Sequence, residues 1–110
     1  MNALTTHILD TSLGVPAAGV TIKLYKLESD KLTLITEAVT NQDGRTDQPL
    51  LGDRQLETGQ YQLMFEMGNY FLKHHTSLPD PLFLSDIPIN FGIADTQSHY
   101  HVPLLVSPFG

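Results

Sequence analysis

The 110-residue sequence predicts an all-β domain, an antiparallel β-sandwich with one short helix. Apolar and polar side chains alternate through most of the chain, and this period of two is typical of strands that bury one face. The alternating segments are short, and they are separated by turns drawn from 8 glycines and 7 prolines, which favours a sandwich. The length fits a single domain over residues 1–110 that is large enough to bury a core.

The first half of the sequence contains three predicted strands. Residues 4–9 alternate between the two faces of a strand, and a turn-rich loop follows at residues 10–16. Residues 20–24 put Val, Ile and Leu on one buried face, and residues 32–40 are rich in Leu, Ile, Val and Thr, as strands are. The sequence Asn-Gln-Asp-Gly at residues 41–44 predicts a tight turn that closes the third strand.

The second half contains a helix between predicted strands. Residues 59–67 alternate Tyr, Leu, Phe and Met with polar side chains and form one of the cleanest predicted strands. Residues 69–76 lose this period and predict a short helix with Asn69 as its N-cap. Another alternating strand covers residues 87–93, and residues 95–98 predict a hairpin-like turn that leads into the last strand.

The last strand, within residues 99–110, presents two unlike faces. One face is apolar and consists of Tyr100, Val102, Leu104 and Val106. The other face carries His99, His101, Pro103 and Leu105. On the first strand His7 is likewise turned away from the side chain of Ile8, so two strands send imidazoles to the side opposite the core. Such a face is a surface, a metal site or a reactive wall.

Composition excludes several classes of function. The chain has no cysteine, so it has no disulfides, no thiolate nucleophile and no sulfur-ligated metal. Its net charge of −6, from 12 acidic and 6 basic residues, argues against nucleic-acid binding and against binding to anionic membrane surfaces. We find no apolar run of membrane-spanning length and no signal-like N-terminus, and therefore expect a cytoplasmic protein.

Spacing alone leaves the role of the terminal histidines open. His99 and His101 lie two residues apart on one side of a strand and could form a metal clip, but no third ligand is dictated by spacing. A triad of Ser98, His101 and Asp95 is possible on paper, although these residues are too close along one segment for the usual geometry. Residues 74–75, both His, are expected to be solvated helix residues.

Several separated motifs are spread over nearly the whole chain. The motifs are Leu-Thr-Thr-His-Ile-Leu-Asp at residues 4–10, Gly-Val-Pro-Ala at 14–17, Gly-Val at 19–20, Thr-Asn-Gln-Asp-Gly-Arg at 40–45, Gly-Gln-Tyr at 59–61, Tyr-Phe at 70–71, Ile-Pro-Ile-Asn-Phe at 87–91 and His-Tyr-His-Val-Pro-Leu-Leu at 99–105. In this order the motifs resemble those of the transthyretin-like 5-hydroxyisourate hydrolases, and their combination is far more specific than any one of them.

This resemblance implies a prealbumin-like sandwich of eight strands and one short helix, assembled as a homotetramer that is a dimer of dimers. Active sites of that family lie at the interface between dimers, and by position their residues correspond to His7, Arg45 and His101, without a metal or cofactor. Family members continue into a further strand that closes in Tyr-Arg-Gly-Ser. We therefore expect the final strand to be missing from this chain and the natural protein to continue beyond Gly110.

The activity implied by the resemblance is hydrolysis of 5-hydroxyisourate to 2-oxo-4-hydroxy-4-carboxy-5-ureidoimidazoline, a step of urate degradation. A histidine suits activation of water, because its ordinary pKa lies near neutrality. Arg45 suits substrate binding, because its planar guanidinium remains charged and can pair with two acceptors. Either His7 or His101 activates the water, and both are expected to contact substrate. The alternative is a non-catalytic carrier of small ligands of the transthyretin type.

Overall fold

Two β-sheets and one helix account for most of residues 2–110, which are described in a computed structural model. The elements are β1 (Leu4–Asp10), β2 (Val15–Pro16), β3 (Thr21–Glu28), β4 (Lys31–Val39), β5 (Gly59–Glu66), α1 (Met67–His74), β6 (Asp86–Ile93) and β7 (Tyr100–Val106). The predicted all-β sandwich with one short helix is therefore confirmed. Within residues 2–110, no helix has the length and hydrophobicity needed to cross a membrane.

The strands form a three-stranded sheet in the order β2-β1-β7 and a four-stranded sheet in the order β4-β3-β5-β6. All pairs are antiparallel except β1 and β7, which run parallel, so the sandwich is not wholly antiparallel as predicted. The predicted hairpin at residues 95–98 is also wrong, because β6 and β7 belong to different sheets. The segment between these strands crosses from one sheet to the other, and β7 then pairs with the first strand of the chain.

Alternation of side chains builds the core between the sheets. Burial alternates along β1 and β5, as the period of two requires. Each buried Leu, Ile or Phe stabilises the fold by roughly 1.5–3 kcal/mol relative to exposure. The largest side chains with almost no exposed surface are Leu4, Ile8, Val20, Ile22, Leu24, Leu63, Phe65, Met67, Phe71 and Ile93.

The helix begins two residues earlier than predicted, at Met67. Met67, Tyr70 and Phe71 are buried, and their spacing puts all three on one helical face against the core. The predicted N-cap, Asn69, is an exposed residue inside the helix, and Glu66 occupies the cap without a side-chain hydrogen bond. Burial of an apolar stripe therefore fixes where the helix starts, rather than a capping side chain.

A buried carboxylate joins the end of β1 to the region after the helix. Asp10 has no exposed surface. Its Oδ1 accepts hydrogen bonds from Ser12 Oγ at 2.6 Å, Ser12 N at 3.0 Å and Leu13 N at 3.2 Å. Its Oδ2 accepts one from Tyr70 Oη at 2.9 Å and lies 3.0 Å from His75 Nε2. These contacts satisfy a charge that would otherwise be costly to bury.

The neighbouring histidines after the helix differ in environment. His74 is exposed, as predicted, and its ring lies 4.4 Å from that of Tyr70. The same prediction is wrong for His75, whose side chain is only 12% exposed. The helix ends at His74. The backbone is extended at His75, and the His75 side chain is therefore directed to Asp10.

We expect the Asp10 carboxylate to stabilise the fold in a pH-dependent way. Burial raises its pKa, but hydrogen bonds from Ser12, His75, Tyr70 and Leu13 outweigh burial and lower the pKa from 3.8 to about 2. Since the folded pKa lies below the ordinary value, the stabilisation is present above pH 3.8 and is lost as pH falls toward 2. Asp10→Asn should therefore reduce the free energy of unfolding by about 2 kcal/mol at pH 7.

Urea unfolding at pH 7 and pH 3 measures this effect, and exposed Asp53 gives the matched control, Asp53→Asn. The control should change stability by less than about 0.5 kcal/mol. An equal cost of Asp10→Asn at both pH values would contradict the assignment.

Candidate active site

The parallel pairing of β1 with β7 brings two predicted site residues to one face. The register pairs Thr5 with His101 and His7 with Pro103. Burial alternates along both strands, and Thr5, His7 and His101 belong to the less buried set, which agrees with the predicted orientation away from the core. His7 and His101 therefore stand on the outer face of the three-stranded sheet, on adjacent strands.

Arg45 is held beside β1 by the predicted tight turn. The Asn41 side-chain oxygen accepts hydrogen bonds from the N–H groups of Asp43 at 2.9 Å and Arg45 at 3.2 Å. The turn closes through a bond of 2.9 Å from Gly44 N to Asn41 O. Arg45 then forms an isolated antiparallel bridge with His7. The structure thus brings together His7, Arg45 and His101, which are far apart in sequence.

Two further side chains adjoin His101. Thr5 Oγ1 lies 2.8 Å from His101 Nδ1 and 3.5 Å from His99 Nε2. Sequence reasoning placed His99 on this face but did not single out Thr5. A signal was available, because Thr5 shares the strand face of His7. The hydrogen bond itself depends on strand register, which the sequence does not reveal.

The surroundings of His101 disfavour its positive charge. Its pKa lies below the ordinary value of 6.5, first because of burial and then because of Arg45, His7 and His99. Loss of solvent and nearby positive charge both penalise an imidazolium. His101 is therefore biased toward the neutral imidazole, the form that can accept a proton from water.

The other chemistries considered from spacing have a different geometry. Ser98 Oγ donates a hydrogen bond directly to Asp95 Oδ2 at 2.8 Å, with no imidazole between them. These two residues therefore do not form the catalytic triad with His101 that was considered from the sequence. Over residues 2–110 we find no group of three or more His, Asp or Glu side chains placed to hold a metal ion.

The candidate site is open on one side in the single chain. Arg45 and His101 are exposed, and Leu105, farther along the same face of β7, is 62% exposed. Three cavities on the described surface are lined by other residues and do not include His7, Arg45 or His101. The polar residues therefore form a wall rather than an enclosed pocket.

Comparison with known proteins identifies the family. A model of the HIUase/Transthyretin family matches residues 4–110. The chain belongs to the HIUase/Transthyretin family. Its sequence is 55% identical over 107 residues to 5-hydroxyisourate hydrolase 2 of Rhizobium meliloti (strain 1021), covering 97% of this chain and 89% of that protein.

Two solved structures of similar fold extend the comparison. A crystal structure of (S)-allantoin synthase superposes with a TM-score of 0.91 and 43% identity, over 98% of this chain and 41% of that one. This chain thus spans about two fifths of that protein's structure. Sea bream transthyretin in complex with thyroxine gives a TM-score of 0.84 and 30% identity, over 98% of this chain and 89% of that one.

We expect Gly44 to be required for the placement of Arg45. Gly44 has a φ of +74°, and a Cβ there would collide with the carbonyl oxygen of Ile8 in β1. Gly14 has a similar φ of +68° but open space around it, so it provides a matched control. Gly14→Ala should cost roughly 1–2 kcal/mol of stability from backbone strain alone. Gly44→Ala should cost about 1–3 kcal/mol more, because the backbone must move.

Urea unfolding of both variants separates the two contributions. Equal losses of stability in Gly44→Ala and Gly14→Ala would show that the close approach to Ile8 is unimportant.

Proposed function

We propose that this chain hydrolyses 5-hydroxyisourate, opening its six-membered ring to 2-oxo-4-hydroxy-4-carboxy-5-ureidoimidazoline. The observation that carries the proposal is the meeting of His7, Arg45 and His101 on the outer face of one sheet. Such a group contains two bases and a permanent cation, the side chains that metal-free hydrolysis of a cyclic amide requires. The identity of 55% to a 5-hydroxyisourate hydrolase supports the same activity.

We assign the general base to His101 and the general acid to His7. Neutral His101 takes a proton from water as the water oxygen bonds to the ring carbonyl carbon. Arg45 holds oxygen atoms of the substrate and stabilises the negative charge that develops on that carbonyl. The carbon–nitrogen bond then breaks, and His7 delivers a proton to the departing nitrogen. The bias of His101 toward its neutral form supports this division of roles.

We further propose that the active chain is a homotetramer, a dimer of dimers, in which a second copy completes each site. The outer face that carries His101 is an open wall with Leu105 exposed, and such a wall does not exclude bulk water from a bound substrate. A facing copy would supply the missing wall and strengthen electrostatic contacts with the substrate. Sedimentation of the chain, followed by activity measurement on each species, tests this assembly.

A carrier function is the second candidate, since sea bream transthyretin of similar fold has been solved in complex with thyroxine. Two observations favour hydrolysis. The identity is 55% to the hydrolase but 30% to that transthyretin. A carrier also has no need for a neutral imidazole beside an arginine. Freshly generated 5-hydroxyisourate distinguishes the two by its absorbance decay, because a carrier would bind ligand without accelerating the decay.

Each of the three side chains should be required for turnover. His7→Ala, Arg45→Ala and His101→Ala should each lower the catalysed rate by on the order of a hundredfold or more. The losses should be non-additive, because the three act in one transition state. His74→Ala, which truncates an exposed helix residue, provides the control and should retain full activity.

The same assay with EDTA checks the absence of a required metal. Activity should persist on chelation, whereas loss with EDTA and recovery with zinc would contradict the proposed mechanism.

Activity should depend on pH through the neutral form of His101. Since the folded pKa of His101 lies below 6.5, the acid side of the kcat/KM profile should fall as pH decreases through a value below 6.5. Initial rates between pH 5 and 8 measure this profile. A rate that instead increases on acidification through this range would indicate that imidazolium, not imidazole, is the required form of His101.

A further inference from the structure

We infer that Thr5 is a positioning residue that holds the proton of neutral His101 on Nδ1 and leaves Nε2 free to accept a proton from water. This inference deepens the proposed hydrolysis and rests on it. The hydrogen-bond contacts of the Thr5 hydroxyl are to His101 in β7 and to His99, which directly precedes that strand. Its role is therefore to orient a catalytic ring rather than to touch the reacting atoms.

The strand register fixes this contact. Thr5 and His101 are directly paired in the parallel ladder of β1 and β7, and both side chains point outward. Thr5 Oγ1 lies 2.8 Å from His101 Nδ1, a full hydrogen-bond distance. The ring is thereby held at one nitrogen by a short side chain whose own backbone is fixed in the sheet.

The hydroxyl lies between two ring nitrogens. Thr5 Oγ1 is also 3.5 Å from His99 Nε2, two residues before His101 on the same face. A hydroxyl has one hydrogen to donate and lone pairs to accept. If Thr5 donates its hydrogen to His99 Nε2, its oxygen can accept the N–H of His101 Nδ1. The opposite direction would put the proton of His101 on Nε2 and leave no lone pair there for water.

The chemical requirement decides between the two directions. A neutral imidazole carries one proton, and the partner of one nitrogen determines the state of the other. A base that faces substrate with Nε2 needs its proton on Nδ1, which requires an acceptor at that position. Thr5 supplies the acceptor without adding a charge, and His99 gives the hydroxyl hydrogen a separate destination.

Thr5→Val tests the inference, because it removes the hydroxyl but keeps a branched side chain that strands accommodate. Thr5→Ser retains the hydroxyl and should rescue the effect. Thr33→Val, at an exposed position of β4 in the other sheet, is the matched control. Thr5→Val should lower kcat about 10- to 100-fold with less than a twofold change in KM, a loss comparable to that of other orienting hydrogen bonds. Thr5→Ser and Thr33→Val should remain near the unaltered rate.

A second readout does not depend on activity. Nitrogen NMR of labelled His101 reports which ring nitrogen carries the proton in the neutral form. The unaltered chain should show the proton on Nδ1, and Thr5→Val should shift the population toward Nε2. His99→Ala should produce a smaller shift in the same direction, because the Thr5 hydroxyl then lacks its other acceptor.

Two results would overturn the inference: a neutral His101 with its proton on Nε2 in the unaltered chain, or an unchanged kcat in Thr5→Val. Failure of the proposed function would give a different result, because the unaltered chain would then not accelerate the decay of 5-hydroxyisourate. In that case the nitrogen spectra still decide whether Thr5 sets the protonated nitrogen of His101.

Discussion

The parallel pairing of the first and last strands is the constraint on which the candidate site depends. Seven residue pairs run in register from Leu4 opposite Tyr100 to Asp10 opposite Val106. Backbone hydrogen bonds extend this ladder at both ends, from Tyr100 N to Ala3 O at 2.8 Å and from Thr11 N to Val106 O at 2.9 Å. A slip by one residue would turn His101 toward the core and destroy both the site and the packing. Folding stability therefore enforces the geometry of the site.

Strand β1 organises the site from both of its edges. On one edge it pairs with β7, which carries His101, and Thr6 Oγ1 adds a hydrogen bond of 2.7 Å to Val102 O. On the other edge Ile8 N donates to Gly44 O at 2.9 Å, which places the following Arg45 against His7. The inward side chains of β1 are buried in the core, so the outward ones project from a rigid support. Such a support suits polar groups that must hold their positions during catalysis.

Sequence patterns predicted which way side chains point, but they did not predict which strands pair with each other. The outward placement of His7 and His101 follows from a period of two, which is a local property. Parallel pairing of β1 with β7, the bond from Thr5 to His101, and the burial of His75 against Asp10 depend on contacts between distant segments, and no local pattern encodes them. The turn alone indicates that Arg45 is an ordinary surface residue. Arg45 was identified as a candidate site residue only through the resemblance to the family.

The charge distribution around His101 differs from that of a serine–histidine–aspartate triad. In a triad a carboxylate stabilises the imidazolium as it forms. Here the buried carboxylate, Asp10, lies on the core side of β1 and is occupied by Tyr70, His75 and neighbouring groups. Among residues 2–110, His101 has the neutral hydroxyl of Thr5 as its side-chain hydrogen-bond partner. The charge of Arg45 disfavours protonation of His101. This arrangement lowers the pKa of His101 and favours its neutral form. In the proposed hydrolysis, a neutral imidazole would suit activation of water for attack on an electron-poor ring carbonyl, and Arg45 would stabilise the developing oxyanion.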